Sequence, residues 1–116
     1  MTSTKDVLEH HTKALGRGDL NAVLADYSSD AILFTKDGAF KGLGAIRPVF
    51  AALTSEFRKP GLKVNTTQHL IDDDYAYLLW TAETADNIYE MGTDTFVVRG
   101  GKIVAQSFTA KVTPKR

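Results

Sequence analysis

The composition of this chain is that of a neutral, folded protein. Its 116 residues include 14 basic and 14 acidic side chains, so the formal net charge at pH 7 is zero. A neutral chain lacks the positive field that draws proteins to nucleic acids and anionic membranes. Cysteine is absent, which excludes disulfides, thiolate metal sites and a cysteine nucleophile. The length predicts one domain spanning residues 1–116.

The sequence predicts neither secretion nor membrane insertion. The N-terminal residues are polar and lack the apolar stretch of a signal peptide. The longest apolar runs are far shorter than the roughly 20 residues that a membrane helix needs. We therefore expect a cytoplasmic protein that makes no membrane contact.

The first helix is predicted over residues 7–15, where apolar side chains recur at helical spacing. Ser3 followed by Asp6 resembles the capping box that begins many helices, with a shorter acid than usual. Gly16 and Gly18 predict the end of the helix, because glycine readily adopts the left-handed conformation found at helix ends.

Two further helices are predicted in the first half of the chain. Asp19 can cap a short helix whose apolar face ends at Tyr27. A brief strand is then predicted over residues 31–35. The third helix begins near Gly44 and ends at Pro60, where the ring of proline cannot continue a helix. Its apolar face consists of Ile46, Val49, Phe50, Leu53 and Phe57.

The second half of the chain predicts four consecutive strands. Each is rich in β-branched and aromatic residues and is bounded by residues typical of turns. Helices followed by consecutive strands are typical of an α+β fold, in which helices cover one face of a curved antiparallel sheet. The predicted strands cover residues 62–71, 75–85, 88–98 and 103–112.

Several short segments, taken in chain order, resemble a known superfamily. They are Ala-Leu-Gly-Arg-Gly-Asp-Leu at 14–20, Leu-Ala-Asp-Tyr-Ser-Ser-Asp-Ala at 24–31, Phe-Lys-Gly at 40–42 with Ala-Ile-Arg at 45–47, and Asp-Thr-Phe-Val-Val-Arg-Gly-Gly-Lys-Ile at 94–103. Together these segments resemble the nuclear transport factor 2-like superfamily, in particular its SnoaL-like branch. The likeness covers nearly the whole chain.

The resemblance implies a cone, in which the curved sheet wraps around three N-terminal helices and encloses a pocket at the wide end. It also implies a homodimer formed through the outer face of the sheet. Relatives include steroid isomerases, polyketide cyclases, dehydratases, epoxide hydrolases and non-catalytic binding or assembly modules. Because one fold serves so many activities, the resemblance predicts architecture more narrowly than function.

Asp94 is the first candidate for chemistry. Strand alternation places it on the same face as Phe96 and Val98. If that face is the concave one, burial would raise the pKa of the carboxyl and suit it to act as a proton donor or as a general acid or base. Otherwise Asp94 is an acid near the mouth of the sheet, either solvated or paired with Arg99 or Lys102. By resemblance, it takes the place of the aspartic acid that donates a hydrogen bond to the substrate oxygen in ketosteroid isomerases.

His11 is the second candidate and would act together with Asp94. It shares the apolar stripe of the first helix with Val7 and Leu15, whereas His10 points away and is expected to be exposed. An imidazole in the pocket can donate, accept or change its charge near neutral pH. The alternative is a core histidine bonded to a backbone carbonyl or a neighbouring hydroxyl. By resemblance, His11 takes the place of the isomerase tyrosine that polarises the substrate carbonyl.

Thr35 corresponds, by the same resemblance, to the general base of the isomerases. A threonine hydroxyl has no accessible pKa and cannot by itself remove a proton from carbon. Steroid isomerisation is therefore not expected. A pair formed by His11 and Asp94 can still carry out acid–base chemistry, with the carboxylate orienting the imidazole.

The wall of the predicted pocket is apolar and aromatic, and most of these side chains fit a plain core equally well. Strand alternation allows either Trp80 or its neighbours Leu79 and Thr81 to face inward. The isomerase-like register places Trp80 on the outer face, where it suits a dimer interface. Gln106 adds a neutral polar group that can orient a ligand. The predicted ligand-binding residues are Tyr27, Phe34, Thr35, Phe50, Tyr77, Leu79, Thr81, Phe96, Gln106 and Phe108.

No metal or cofactor is predicted. The acids at 72–74 lack the spaced ligands and turning glycine of a cation-binding loop, and the three histidines lack zinc-site spacing.

Two functions remain open. One is a pocket for a small, mostly apolar ligand with a carbonyl or hydroxyl group, where any chemistry would be proton transfer of the isomerase, cyclase, dehydratase or hydrolase type. The other is a non-catalytic homodimeric binding or assembly module.

Overall fold

The computed structural model of the protein describes residues 3–115. Three helices lie on one face of a curved, six-stranded sheet, which confirms the predicted α+β architecture. The helices are α1 (Thr4–Arg17), α2 (Leu20–Leu24) and α3 (Leu43–Phe57). The strands are β1 (Tyr27–Thr35), β2 (Gly38–Lys41), β3 (Lys63–Asp72), β4 (Tyr75–Glu83), β5 (Asn87–Arg99) and β6 (Lys102–Pro114).

Helix α1 begins and ends through side-chain and backbone caps. The Asp6 N–H donates to Ser3 Oγ at 3.1 Å, and the Ser3 N–H donates to the Asp6 carboxylate at 3.3 Å. This reciprocal pair is the predicted capping box, which is confirmed. Gly16 remains helical, and the helix closes at Gly18, whose φ of +66° is left-handed.

The chain turns from helix to strand earlier than predicted. Asp19 caps α2 by accepting the Ala22 N–H at 3.1 Å, but the helix ends at Leu24. Tyr27 was expected on this helix, and that prediction is wrong, because the residue begins β1. The backbone explains the difference, since the Asp26 carbonyl accepts the Ile103 N–H at 2.7 Å and joins β1 to β6 from its first residue.

The strand order in the sheet is β2-β1-β6-β5-β4-β3. The four long strands of the second half pair antiparallel with their neighbours in the chain, as predicted. β1 pairs parallel with β6, so the first strand lies beside the last. This pairing places Leu33 beside Gln106.

The inner face of the sheet packs against the helices and forms the core. In β4 the inward side chains are Ala76, Leu78, Trp80 and Ala82, all of them buried. α3 packs on β1 and β2, while α1 packs on β3 and β5. β3 is an edge strand whose residues are all exposed, so the layer between helices and sheet is open on that side.

A cluster around Glu56 fastens the end of α3 to the turn between β4 and β5. The Glu56 carboxylate accepts the Thr84 hydroxyl at 2.5 Å, the Asn87 side-chain N–H at 2.8 Å and the Tyr89 hydroxyl at 2.8 Å. Burial and the neighbouring Glu56 carboxylate raise the pKa of Tyr89. Tyr89 therefore stays a hydroxyl donor in this cluster.

Candidate functional site

A cavity of about 130 Å³ lies between the helices and the inner face of the sheet. Its opening faces the edge strand β3. Exposed or half-buried lining side chains from α1, α3 and β3 mark the mouth, among them Thr12, Leu15, Leu53, Val64 and Thr66. The floor is formed by buried side chains from α1 and the three central strands, namely His11, Leu78, Trp80, Asp94, Phe96 and Gln106.

Asp94 supplies a carboxyl group to the floor, where it is only 8% exposed. The Trp80 indole N–H donates to Asp94 Oδ2 at 2.7 Å, and the Gln106 side-chain N–H donates to Asp94 Oδ1 at 2.9 Å. Tyr27 donates its hydroxyl proton to the Gln106 carbonyl oxygen. These hydrogen bonds therefore fix the orientation of the three polar floor side chains from the sheet, Trp80, Asp94 and Gln106.

Burial is the main influence on the ionisation of Asp94. It raises the pKa of the carboxyl above the ordinary value, because the charged form loses water. The N–H donors of Trp80 and Gln106, and the nearby His11, act in the opposite direction without overcoming burial. A carboxyl of this kind holds its proton more readily than one on the surface.

Gly92 explains how a tryptophan fits on this face. Trp80 and Gly92 are cross-strand partners, and the indole lies over the glycine. A Cβ on Gly92 would lie 2.3 Å from the indole ring, closer than real Cβ contacts. Glycine inside a strand often marks such a close approach. The small residue in β5 therefore allows the indole to reach Asp94.

His11 is the floor residue that comes from α1, and it is 1% exposed. Its ring meets Tyr27 and Phe96 edge-on, at centroid distances of 5.6 and 5.5 Å. Within residues 3–115, its buried Nδ1 has no hydrogen-bond partner. The nearest carboxylate atom to this nitrogen is Asp26 Oδ2, at 3.8 Å.

Asp26 is held in turn by the preceding histidine of α1. His10 Nδ1 lies 2.7 and 2.9 Å from the two carboxylate oxygens of Asp26. His10 was predicted to be simply exposed, and its side chain is 50% exposed while its ring is paired. The two adjacent histidines thus meet one buried carboxylate from different sides.

The structure brings together six of the residues that the sequence selected. They line the cavity and are His11, Phe50, Asp94, Phe96, Gln106 and Phe108. Tyr27 does not line the cavity, but it lies directly behind the floor, where it is buried, packs on His11 and bonds Gln106.

The predicted orientation of β4 is wrong. Trp80 lies on the inner face and lines the cavity, whereas Tyr77, Leu79 and Thr81 lie on the outer face and take no part in it. Neighbouring strand residues face opposite sides, so an error of one residue in register reverses every side chain. The physical reason for the observed register is the space above Gly92 and the Asp94 acceptor for the indole N–H.

Phe34 and Thr35 also lie outside the cavity, contrary to prediction. In β1 it is Leu33 that faces the core, so its neighbour Phe34 faces the other side of the sheet, where it is 48% exposed. Thr35 lies at the end of β1, where its hydroxyl accepts the Asp37 N–H at 3.1 Å and shapes the turn to β2. The position that resembles the isomerase general base therefore has a local, structural role here.

Sequence reasoning missed Asp26 and the inward position of Trp80. Asp26 follows a short helix and carries no motif, and only the fold brings it beside residues 15 or more positions earlier. Trp80 had one signal, the glycine inside the strand two residues before Asp94.

Two further features were sought among the described residues, a cluster of metal-ligating side chains and a membrane-spanning helix. Among residues 3–115, no group of three or more His, Cys, Asp or Glu side chains is arranged to hold a metal ion. None of the helices within those residues has the length and apolar character required to cross a bilayer.

Comparison with solved structures shows the same fold at low sequence identity. The epoxide hydrolase/cyclase-like enzyme SalBIII, which functions in pyran ring formation in the polyether salinomycin, superposes with a TM-score of 0.79 at 14% identity, over 97% of this chain and 95% of that one. A putative polyketide cyclase from Sinorhizobium meliloti gives 0.72 at 16% identity, over 89% and 93% of the two chains. A putative ketosteroid isomerase from Kribbella flavida gives 0.71 at 15% identity, over 97% and 81%.

A search of the curated proteins finds no match to this chain. The family model described as the SnoaL-like domain matches residues 7–106, which include both His11 and Asp94. The match extends over most of the chain and agrees with the folds of the solved structures. The protein therefore belongs to the SnoaL-like domain family of the nuclear transport factor 2-like superfamily.

Proposed function

We propose that the cavity binds a small, mostly apolar molecule with a hydroxyl or carbonyl group, and that Asp94 and His11 transfer a proton to or from it. The observation that carries this proposal is the 8%-exposed carboxyl of Asp94 on the floor of an apolar cavity, beside a buried imidazole. Perturbed acids in clefts occur most often at functional sites.

The size and lining of the cavity define the ligand class. A volume of about 130 Å³ is close to that of cavities that accommodate a benzene-sized molecule. Aromatic and aliphatic side chains form nearly all of the wall, so the body of the ligand is apolar. The polar end of the ligand belongs at the floor, next to Asp94 and His11.

The chemistry of the floor suits proton transfer. The Asp94 oxygens each accept one N–H, and a carboxyl group has about four acceptor positions, so capacity for a ligand remains. Its raised pKa makes Asp94 a stronger proton acceptor than a surface carboxylate, and a hydrogen-bond donor when protonated. Isomerisation, cyclisation, dehydration and hydrolysis all include such a proton transfer. The superposed structures are named as an epoxide hydrolase/cyclase-like enzyme, a putative polyketide cyclase and a putative ketosteroid isomerase, which are names from the same group of reactions.

A matched panel of small molecules tests the proposal. We expect phenol, cyclohexanol and cyclohexanone to raise the Tm and to shift the NMR signals of the floor residues, since bound ligand stabilises the folded state. Toluene and methylcyclohexane have the same shapes without the oxygen and are expected to bind at least tenfold more weakly. This difference is expected to become smaller in Asp94→Asn, which keeps the size of the side chain but cannot ionise.

The control variant is Asp30→Asn, because Asp30 is exposed on β1 and does not line the cavity. It is expected to bind the panel like the wild-type protein. Equal binding of the hydrocarbons and the oxygenated compounds would contradict the proposal. Binding of the whole panel at a site remote from Asp94 would contradict it as well.

A second candidate function is assembly through the outer face of the sheet. Phe34, Tyr77 and Leu70 lie in one row of cross-strand neighbours, separated by small hydroxyl side chains. Phe34 is 48% and Leu70 is 55% exposed, and the row contains no charged residue. Exposed apolar side chains grouped on one uncharged surface are typical of protein interfaces. This face therefore supports a homodimer.

Light scattering at micromolar concentration tests the homodimer. We expect the mass of two chains for the wild-type protein and of one chain for Phe34→Lys, because a lysine buried in the interface would be unpaired. Lys41→Glu changes a charge near the border of the same face and serves as the control. A monomeric wild-type protein would refute this second candidate.

A further inference from the structure

We propose that Asp26 is a positioning residue that holds His11 with its Nδ1–H directed at the Asp26 carboxylate, so that His11 Nε2 presents a lone pair to the cavity. The use of that lone pair in proton transfer rests on the proposed function, whereas the arrangement of the ring stands independently of it.

The first support is the unpartnered nitrogen. His11 is buried, and its Nδ1 makes no hydrogen bond within residues 3–115. A buried ring nitrogen without a partner is unfavourable, so it normally faces one. Asp26 Oδ2 lies 3.8 Å away, and a small rotation of the His11 ring would bring the two atoms within hydrogen-bond distance.

The second support is the restraint on Asp26. Its side chain is 11% exposed and both its oxygens lie within 2.9 Å of His10 Nδ1. His10 is half exposed and joins this pair to the surface of α1. A carboxylate fixed in this way offers a constant acceptor to the neighbouring imidazole.

The two nitrogens of the imidazole then have different roles. A neutral imidazole carries its proton on one nitrogen only, and a hydrogen bond from one nitrogen to a carboxylate fixes that tautomer. With the proton on Nδ1 beside Asp26, the Nε2 on the other side of the ring is an acceptor. When Nε2 takes a proton from the ligand, the imidazolium that forms is stabilised by the Asp26 carboxylate.

This assignment sharpens the ligand class. An Nε2 lone pair binds a hydrogen-bond donor, so His11 selects molecules that present a hydroxyl group. Asp94 is the separate carboxyl on the sheet side of the floor. The site thus has a base on the helix and an acid on the sheet, and the reacting group of the ligand lies between them.

Nitrogen-15 NMR of the histidine rings tests the inference directly. We expect the spectrum of His11 to show a protonated Nδ1 and an unprotonated Nε2, with at least a tenfold excess of this tautomer. His69 is exposed on β3 and provides the reference for an imidazole in water. A protonated Nε2 on neutral His11 in the wild-type protein would overturn the proposal without any variant.

Variants separate the role of Asp26 from general damage to the fold. In Asp26→Ala, we expect His11 to return to the tautomer mixture seen for His69. Asp26→Asn keeps an oxygen acceptor without the charge and should lie between Asp26→Ala and the wild-type protein. Asp30→Ala removes a neighbouring aspartate of β1 and should leave the His11 spectrum unchanged. The same tautomer in Asp26→Ala and the wild-type protein would overturn the proposal.

Ligand binding supplies the second readout. We expect Asp26→Ala to bind phenol about tenfold more weakly and toluene equally well, because only phenol donates to Nε2. An equal loss for both compounds would indicate collapse of the cavity and would overturn the positioning role. Absence of ligand binding in the wild-type protein would refute the proposed function while leaving the NMR result in place.

Discussion

Two carboxylates of this fold accept similar numbers of hydrogen bonds and yet lie in different surroundings. Glu56 accepts two hydroxyls and an amide at the junction of α3 with the turn between β4 and β5. Asp94 accepts an indole N–H and an amide on the floor of a cavity. Glu56 does not line the cavity, whereas Asp94 has an open side with the His11 imidazole nearby. A well-bonded carboxylate therefore indicates a site only when space and a second reactive group accompany it.

The largest expected effect comes from closing the space around Asp94. Gly92→Ala places a Cβ against the indole of Trp80, and such overpacking costs about 3 kcal/mol of unfolding free energy. The indole must move, so the fluorescence of this single tryptophan should change as well. Urea unfolding and emission spectra measure both effects. Gly44→Ala in α3 is the control, because a Cβ there meets no atom within 4 Å.

A somewhat smaller loss is expected in the Glu56 cluster. Glu56→Ala leaves the hydroxyls of Thr84 and Tyr89 without their acceptor and should cost about 2 kcal/mol of unfolding free energy. Binding of phenol should not change, since Glu56 does not line the cavity. Glu90→Ala removes an exposed glutamate on β5 and should cost much less, because solvent screens the contacts of an exposed carboxylate. A loss of phenol binding in Glu56→Ala would contradict the expectation that Asp94 serves the cavity and Glu56 does not.

The smallest expected effect is the pH dependence that Asp94 gives to stability. Burial raises the pKa of this carboxyl in the folded state, so the folded protein binds its proton more tightly than the unfolded chain does. The contribution of Asp94 to the unfolding free energy therefore falls as the pH rises from the ordinary aspartate pKa of 3.8 through the raised value. Asp94→Asn cannot ionise and should lack this decline.

Urea unfolding between pH 4 and pH 7 measures this difference. The stability of Asp94→Asn relative to the wild-type protein should increase with pH over that interval. Asp30→Asn, at an exposed position, should keep the wild-type pH profile. A relative stability of Asp94→Asn that decreases with pH would mean that hydrogen bonding, and not burial, dominates the ionisation of Asp94.

Local patterns in the sequence predicted the elements well. The Ser3–Asp6 capping box and the apolar spacing of α3 depend only on neighbouring residues, and both were read correctly. The four long strands were also located, because their turns carry glycine or acidic residues. Simple alternation placed Asp94 on the same face as Phe96, and both side chains are buried.

The errors arose where distant residues decide the outcome. The face of β4 depends on the space above Gly92, and the register of this strand is interrupted by a bulge after Trp80. The end of α2 depends on pairing with Ile103. The proximity of Asp26 to both histidines of α1 depends on the path of the chain beneath that helix. Spacing along one strand or one helix carries no signal for such contacts.

The parallel pair of β1 and β6 has a consequence for the order in which the chain folds. His11 and Gln106 reach the same cavity only after strands from opposite ends of the chain have met. Contacts between residues so far apart in sequence form late, because closing a long loop costs entropy before the contacts themselves can stabilise the chain. A ribosome-bound chain that has not yet released β6 therefore lacks Gln106 and the β6 side of the cavity floor. Ligands of the cavity should bind only the completed chain, and they cannot guide its earlier folding steps.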